Sequence, residues 1–527
     1  MTEQTINTFK NTDSSVKVGD LILSEEPFAY TLSSKENGNR CDYCLQKCNV
    51  RKCSGCQFVH YCGKSCQRAA WDDHKWECAK LKKVAPKVIP DAARLLVKII
   101  NRLKRGDGTS YKVFYTRTSF RMWKDLMSHY SDLKKDKGRM EHFTSLCGVL
   151  YDFLNDMSLP NTVDLLGLYG RMVINSFTIL DMDMNSIGSG VYIAASIIDH
   201  SCNPNAVAIF DGRKIIVRAI VDMPKFDWKK VRIAYIDLMK TPFERQKELL
   251  QTYYFLCQCE KCLNIEQLKY VHAAKCLNKG CDNPVNLHWQ ENCKLVIVEK
   301  CEKIKRIHES ILNGENNYDE GLEDCNGDLQ NGDDNTIDGV ASNIENCVSK
   351  SVGEITNCDD ENVNENVVCS KCGTKYPDES IEVFKEAMSY SEKALFDMKK
   401  TSMAYVEVCK CCIQKQNGVL HPLNIFYAQI LEQSFEAFIN VQLWQKACVY
   451  AEALLPCFRF YYGPLHPLLG LLHLRYGKIL LYKLDLKKAL QQLKSAEKIL
   501  KITHGETHPF YKEQLLPLLH QAFVESP

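Results

Sequence analysis

A dense group of cysteine and histidine residues near the start of the chain has the spacing of metal ligands. Two C-x-x-C pairs, at Cys41 and Cys53, open the group. Thiolate and imidazole side chains bind zinc in a tetrahedron, and a C-x-x-C turn brings two sulfurs to the same ion. Eight ligands therefore predict two zinc ions. The ligands are Cys41, Cys44, Cys53, Cys56, Cys62, Cys66, His74 and Cys78.

A second group of cysteines lies in the middle of the chain. Cys257, Cys259 and Cys262 offer three ligands in the pattern C-x-C-x2-C. A tetrahedral structural site needs a fourth. Cys202, within the segment D-H-S-C-N-P-N at residues 199–205, is the candidate. The sequence therefore predicts a third zinc ion.

Four further cysteines form two pairs, Cys276 with Cys281 and Cys369 with Cys372. Between the pairs, residues 314–366 hold fifteen acidic residues, one lysine and eleven asparagines, a net charge of −14. So polar a stretch cannot bury enough apolar surface to offset its ordering entropy, and it is predicted to be disordered. A fourth zinc ion bound by the two pairs would close this long loop. Unpaired, reduced cysteines are the alternative.

The composition is that of an intracellular globular protein with several domains. Hydrophobic residues make up 45% of the 527 residues and charged residues 25%, with 27 cysteines. In a reducing compartment, cysteines at C-x-x-C spacing are more often metal ligands than disulfides, and the polar start of the chain predicts no secretory signal. We expect an intracellular protein, in cytoplasm and nucleus, that is a monomer and makes no membrane contact. Outside 314–366 the net charge is +16 against a total of +2. A basic body suits DNA or chromatin; a solvated basic surface is the alternative.

The hydrophobic pattern changes along the chain. A strand-like run occurs at 20–23, and apolar residues three and four apart predict a mainly helical stretch from Asp91 to about Leu180. Runs at 206–210 and 214–217 predict strands, joined by an Asp211-Gly212 hairpin signal.

The last 150 residues are predicted to be helical and contain an internal repeat. The string G-x-x-H-P begins at Gly418, Gly463 and Gly505, at intervals of 45 and 42 residues. Glycine ends a helix and proline begins the next, which indicates stacked helical hairpins of the tetratricopeptide kind. The histidines of this string are interpreted as turn or capping residues.

These motifs, in this order, resemble the SET and MYND domain (SMYD) family of protein-lysine methyltransferases. The family carries N-H-S-C-x-P-N, then Y-I-D, then C-x-C-x2-C, which correspond here to 199–205, 235–237 and 257–262. The first cluster matches the MYND zinc module at all eight positions. The resemblance implies an α+β fold. In it, a β-rich SET domain is split by the MYND module and a helical insert, and an all-α, tetratricopeptide-like C-terminal domain follows.

The resemblance also implies boundaries and metal partners. The domains are a shortened N-terminal SET part at 1–40, the MYND module at 41–78, the helical insert at 85–183, the SET core at 184–255, a post-SET zinc motif at 256–264, a zinc-stapled insertion at 265–376 and the helical repeat at 378–527. The MYND pairing is interleaved: Cys41, Cys44, Cys62 and Cys66 on one ion, and Cys53, Cys56, His74 and Cys78 on the other. A proline-rich peptide is the implied ligand of this module.

By resemblance, specific residues should carry the chemistry. Tyr235 matches the tyrosine whose hydroxyl faces the methyl group, and Phe177, Tyr253 and Phe255 match aromatics that line the lysine channel. The positions that bind S-adenosylmethionine correspond to His129, Asn175, Asp199, His200, Tyr235 and Phe255. Taken singly, each aromatic residue is better explained by ordinary core packing; the functional interpretation depends on their joint order with the zinc motifs.

The implied activity is S-adenosylmethionine-dependent methylation of histone or non-histone lysines in a protein substrate. The alternatives are a non-catalytic adaptor or transcriptional regulator that recruits partners through the MYND module and the repeat, and a DNA-binding regulator. The sequence departs from the family pattern at two positions that would bind the cofactor. Asp199 replaces the family asparagine with an acceptor-only carboxylate. No glycine precedes Gly19, so the family G-x-G turn is missing and weak cofactor binding is expected.

Overall fold

The computed structural model describes residues 14–154, 159–287, 367–401 and 405–525. The stretch predicted to be disordered, 314–366, and the first 13 residues lie outside the described residues. The strands are β1 (Leu21–Glu25), β2 (Ala29–Leu32), β3 (Arg51–Lys52), β4 (His60–Tyr61), β5 (Val113–Phe114), β6 (Phe120–Arg121), β7 (Ser176–Leu180), β8 (Ser186–Val191), β9 (Asp199–His200), β10 (Ala206–Asp211), β11 (Lys214–Ala219), β12 (Arg232–Ile233), β13 (Ala274–Lys275) and β14 (Pro284–Val285).

The α-helices occupy most of the rest of the described chain. They are α1 (Lys64–Val84), α2 (Asp91–Lys104), α3 (Asp107–Ser110), α4 (Tyr130–Lys135), α5 (Lys137–Leu154), α6 (Thr162–Asn175), α7 (Pro242–Tyr253), α8 (Glu260–Leu263), α9 (Ile265–Val271), α10 (Asp378–Thr401), α11 (Val406–Gln416), α12 (Ile425–Asn440), α13 (Trp444–Tyr462), α14 (Pro467–Tyr482), α15 (Leu486–Thr503) and α16 (Leu516–Glu525). No described helix is both long and apolar enough to cross a membrane.

The chain divides into two compact units. The first consists of Met1–Met239, Arg245–Cys259 and Ser434–Pro527, and the second of Lys240–Glu244 and Glu260–Gln433. The first unit therefore contains the β-rich region, the zinc module and the last helices. Its two three-stranded sheets have the orders β1–β11–β10 and β2–β8–β7, and their strands run antiparallel.

The hairpin predicted at Asp211-Gly212 is confirmed. β10 and β11 pair from Ala206 with Ala219 to Asp211 with Lys214. Gly212 has a φ of +58°, and a Cβ placed there would lie 2.4 Å from the carbonyl oxygen of Cys44. Glycine is required both by the left-handed backbone and by the close approach of the zinc module. On β11, alternate side chains enter the core, which explains the period-two pattern.

The helical insert forms a second core beside the zinc module. The apolar residues of α2, such as Leu96, Ile99 and Ile100, are buried against α5 and α6. Their spacing of three and four residues is the pattern that predicted the helix. The strands β5 and β6 are a local departure from the predicted helical stretch. They form a short hairpin in which the Thr116 hydroxyl accepts a hydrogen bond from the Ser119 N–H at 2.7 Å.

The repeated G-x-x-H-P string shares two backbone features at its three positions. The glycines have φ values of +79°, +91° and +85°. The Nδ1 atoms of His421, His466 and His508 each accept a hydrogen bond from the backbone N–H two residues later, at 3.0, 3.3 and 3.1 Å. The interpretation of these histidines as turn or capping residues is confirmed. Proline begins a helix at Pro467, but after Pro422 the helix starts only at Ile425, where the simple prediction was wrong.

Candidate functional site

The first cysteine cluster separates into two interleaved groups of four. Within each group, the potential ligand atoms all lie within 4.8 Å of one another. In the first group the Cys62 and Cys66 sulfurs are 3.3 Å apart, and in the second the Cys56 sulfur is 3.6 Å from His74 Nε2. The partition is the one implied by the resemblance. The groups are Cys41, Cys44, Cys62 and Cys66, and Cys53, Cys56, His74 and Cys78.

A buried carboxylate orients the histidine of this module. The Nδ1 atom of His74 lies 3.2 Å from Glu77 Oε1, and the Arg94 guanidinium contacts both oxygens of Glu77, at 3.0 and 3.3 Å. Burial opposes ionisation of Glu77, but the charges of Arg94 and Lys98 hold its pKa well below the usual range. The ionised Glu77 can accept a hydrogen bond from the Nδ1–H of His74. The lone pair of His74 Nε2 is then available to bind a metal.

Replacing Glu77 by glutamine should weaken zinc binding at the His74 group about 10- to 100-fold, because the histidine loses its charged orienting partner. The measurement is zinc release to a competing chelator. Asp72→Asn, an exposed carboxylate on the same helix that pairs with Lys75, is the control. Equal zinc retention in the two variants would remove Glu77 from the metal site.

The third cluster is linked to the predicted catalytic tyrosine through His200. The sulfurs of Cys202, Cys257, Cys259 and Cys262 lie within 4.8 Å of one another. His200 is buried; its Nδ1 accepts a hydrogen bond from the Tyr235 N–H at 3.0 Å, and its Nε2 is 3.2 Å from the Cys202 sulfur. The neutral ring therefore carries its proton on Nε2, directed at the sulfur. Parallel pairing of β9 with β12 brings His200 to Ile233, close to Tyr235.

Four aromatic rings gather at this position. The Tyr235 ring centroid is 5.4 Å from that of His200 and 5.0 Å from that of Tyr253, and Phe255 is 6.0 Å from His200. The hydroxyl of Tyr235 donates to the buried carbonyl oxygen of Ile198 at 2.5 Å. Burial, together with the charge of Asp199, raises the pKa of Tyr235, so the phenol stays protonated at neutral pH. The result is a half-buried aromatic wall with one fixed hydroxyl.

Tyr254, which the sequence analysis did not single out, explains how its neighbours reach the same wall. Its φ of +60° is in the left-handed region, so the chain turns sharply between Tyr253 and Phe255. The Tyr254 ring lies 5.6 Å from that of His129 instead, and its hydroxyl donates to Asp136 at 2.9 Å.

His129 and Asn175 meet at one segment of backbone. The amide of Asn175 donates to the carbonyl oxygens of Met127 and Arg171, at 2.8 and 2.9 Å. His129, two residues beyond Met127, has a φ of +47° and contacts Asp132 at 2.9 Å. The two residues therefore shape the 127–129 turn together.

Two predicted residues lie apart from these contacts. Phe177 pairs with Gly190 across β7 and β8, and its ring packs edge-on against Tyr192 at 5.6 Å. The side chain of Asp199 is 71% exposed and lies 3.7 Å from Arg232. Asp199 is therefore accessible to a ligand cation.

Two ionisable side chains, Glu25 and Arg121, were not predicted from the sequence. Burial raises the pKa of Glu25 to about 7, although the Ala195 and Ala194 N–H groups donate to its oxygens at 2.8 and 3.1 Å. Arg121 is near enough for its charge to lower the pKa of both Glu25 and Tyr235. Its Nη2 donates to the Asp125 carbonyl, but the buried Nη1 has no hydrogen-bond partner among the described residues. A buried guanidinium nitrogen without a partner suits the carboxylate of an amino-acid ligand.

Comparison with known proteins finds a family model that matches the zinc module and relatives that match most of the chain. Residues 41–78 match the family model described as MYND finger. Histone-lysine N-methyltransferase SMYD3 of Homo sapiens is 24% identical over 95% of this chain and 92% of its own. Histone-lysine N-methyltransferase ASHR1 of Arabidopsis thaliana is 26% identical over 96% and 92%. N-lysine methyltransferase SMYD2 of Homo sapiens is 22% identical over 94% and 92%. These relatives are lysine methyltransferases by name.

Proposed function

Because this chain is a member of the SET and MYND domain family, we propose that it is a protein-lysine methyltransferase that uses S-adenosylmethionine and acts on histone or non-histone lysines. The observation that carries the proposal is the aromatic wall of Tyr235, Tyr253, Phe255 and His200, with the Tyr235 hydroxyl held by Ile198. The sequence relatives support the general class; the cofactor and substrate are the proposal.

The aromatic wall suits the chemical problem of lysine methylation. A free lysine has a pKa of about 10.4, and its ammonium form has no lone pair with which to attack. Aromatic faces attract the cation as it enters, and removal of water then lowers its pKa. The Tyr235 hydroxyl and the Ile198 carbonyl add a fixed polar edge against which the amine nitrogen can be oriented.

Several residues would hold the cofactor. When bound, S-adenosylmethionine supplies an electrophilic methyl group. The Nη1 of Arg121, which has no hydrogen-bond partner in the described part of the chain, fits its carboxylate, and the exposed carboxylate of Asp199 fits its ammonium group. His129, Asn175 and His200 are the further positions taken from the resemblance.

The cysteine groups around this site would be occupied by zinc. We include Cys202, Cys257, Cys259 and Cys262 because the His200 N–H directed at Cys202 is the hydrogen bond expected for a metal-bound thiolate. Such an ion would hold the segment after α7 against the 199–205 segment, and so position Phe255 beside His200.

Transfer of a radiolabelled methyl group from S-adenosylmethionine to histones or a cell-derived protein mixture tests the proposal. We expect label on lysine. Unlabelled protein in the presence of bound cofactor would favour the adaptor alternative, in which the MYND module recruits a peptide and the SET domain is inactive. Salt-dependent binding to duplex DNA tests the separate expectation of a nucleic-acid partner.

Replacing Arg121 by methionine should weaken S-adenosylmethionine binding about 10- to 100-fold. A hydrogen bond to a charged group contributes about 1.5–3 kcal/mol, and about 1.4 kcal/mol corresponds to a tenfold change in affinity. Calorimetric titration measures the change. Arg117→Met, an exposed arginine in the turn between β5 and β6, should bind as wild type. Equal affinities in the two variants would exclude Arg121 from the cofactor site.

A further inference from the structure

The second unit contains a group of four cysteines that the proposed methyltransferase reaction does not use. The sulfurs of Cys276, Cys281, Cys369 and Cys372 all lie within 4.8 Å of one another. The distance is 3.5 Å from Cys276 to Cys372 and 3.8 Å from Cys281 to Cys369. In a tetrahedron with zinc–sulfur bonds of about 2.3 Å, neighbouring sulfurs are about 3.8 Å apart. The four sulfurs are therefore spaced as the corners of a zinc site.

The backbone around Cys369 has the geometry of a metal-binding turn. The N–H of Gly373 donates to the Cys369 carbonyl at 2.9 Å, and the N–H of Cys369 donates to Thr374 at 2.9 Å. Gly373 has a φ of +68°, which glycine adopts without strain. In addition, the side-chain amide of Asn283 lies 3.6 Å from the Cys369 sulfur and can donate to it. Donors of this kind stabilise a thiolate that binds a metal.

The hairpin that carries Cys276 and Cys281 offers little regular structure to hold these sulfurs together. The strands β13 and β14 have two residues each, and an isolated hairpin is at best marginally stable in water. Three of the four cysteines are themselves part of the small apolar core of this region. As neutral thiols they would add only weak hydrogen bonds to the few side-chain contacts, such as that of Tyr376 with Lys275, that join the hairpin to the 367–376 segment.

We propose that Cys276, Cys281, Cys369 and Cys372 bind a structural zinc ion. Each thiol releases its proton on binding, and four sulfur ligands leave no open position, so the ion has a structural role and no catalytic one. The ion joins the β13–β14 hairpin to the 367–376 segment. Because the unfolded chain has no preformed site, the free energy of zinc binding stabilises the folded second unit.

The same zinc ion positions the first turn of the helical repeat. The hydroxyl of Tyr376, four residues after Cys372, donates to the Lys275 carbonyl at 2.7 Å. At the first G-x-x-H-P string, His421 Nε2 contacts the Asp282 carbonyl at 3.2 Å and the Asn424 amide donates to Ala273 at 3.0 Å. The metal-bound hairpin is thus a docking partner for the loop between α11 and α12. This inference does not depend on methyltransferase activity.

The test is the zinc content of the purified, reduced full chain after dialysis. Sixteen ligands in four groups predict about four ions per chain. A double variant, Cys276→Ser with Cys372→Ser, should retain about three ions. Cys411→Ser, which removes an exposed cysteine of the same unit outside the group, should retain all of them. Zinc-reconstituted wild type that holds no more ions than the double variant would overturn the proposal.

A second measurement keeps the test decisive if the double variant does not fold. Wild-type protein is treated with a thiol reagent before and after zinc chelation, and the modified cysteines are identified by mass spectrometry. We expect the four cysteines to be protected until zinc is removed, whereas exposed Cys411 reacts throughout. Reaction of exposed Cys372 at the same rate with and without zinc would also overturn the proposal. Methyl transfer enters neither measurement, so failure here is distinguishable from failure of the proposed function.

Discussion

Replacing Tyr235 by phenylalanine should lower the rate of methyl transfer at least about a hundredfold. The phenylalanine ring would keep the contacts with His200 and Tyr253, which lie 5.4 and 5.0 Å away. Only the hydroxyl and its hydrogen bond to Ile198 disappear. Loss of one preorganised polar group from a catalytic site typically costs on the order of 100- to 1000-fold in rate. Single-turnover transfer of radiolabel at saturating cofactor measures this step.

Tyr30→Phe is a matched control for this variant. The Tyr30 hydroxyl also donates to a backbone carbonyl, that of Tyr43, at 2.9 Å, and it accepts from Arg213 at 3.3 Å; its ring is buried in the first unit. The control therefore loses a hydrogen bond to a backbone carbonyl, together with the contact with Arg213, away from the aromatic wall. We expect unchanged zinc content in both variants and near-normal transfer in Tyr30→Phe. Similar rates in the two variants would show that the Tyr235 hydroxyl has no part in catalysis.

The zinc module was the part of the site most open to prediction, because its ligands are close in sequence. A C-x-x-C turn brings two sulfurs together by local geometry alone. The assignment of each pair to an ion depended on the family resemblance, since spacing alone does not decide between interleaved and sequential pairing. The structure groups the ligands in the interleaved way.

The aromatic wall could be predicted as a set of residues but not as an arrangement. Tyr253 and Phe255 reach it because Tyr254 between them adopts a left-handed backbone conformation. A tyrosine in the sequence does not predict that conformation. Phe177 matches the family motif equally well, yet its ring contacts Tyr192 on the β7–β8 side. Motif order places residues in one domain; only strand register and backbone turns decide which rings meet.

His200 shows how one residue can serve more than its predicted role. The resemblance assigned it to the cofactor, whereas its contacts join the Cys202 sulfur to the Tyr235 backbone. Those contacts arise from the parallel pairing of β9 and β12, two strands of two residues each. Such short strands leave no periodic signal in a sequence.

Glu25 and Arg121 were missed for a related reason: neither belongs to a motif. Glu25 ends the run L-I-L-S-E, and its inward direction follows from the irregular register of β1 against β11. The carboxylate then reaches the backbone N–H groups of Ala194 and Ala195. This turn leads directly to Ile198, the acceptor of the Tyr235 hydroxyl, so the protonation state of Glu25 bears on the site.

The stability of the first unit should therefore fall as the pH rises from about 5 to 8. Burial raises the pKa of Glu25 from 4.5 to about 7 in the folded state. A raised pKa means that the folded protein binds the proton more tightly than the unfolded chain does. The stabilisation that protonated Glu25 provides is complete below the pKa of the unfolded chain. It is lost as the pH rises through the pKa of the folded protein. At about 1.36 kcal/mol per pKa unit, the loss is about 3 kcal/mol.

Glu25→Gln should remove this pH dependence of the stability, because the amide does not ionise. The amide oxygen can still accept one hydrogen bond from the 194–195 turn. The measurement is the free energy of unfolding in urea at several pH values, with zinc held in excess so that metal release does not vary. Glu26→Gln, at a neighbouring carboxylate that is half exposed and pairs with Arg213, should keep the wild-type pH dependence. If Glu25→Gln and wild type lose stability in parallel, Glu25 is ionised in the folded protein, and the Ala194 and Ala195 N–H groups outweigh the cost of its burial.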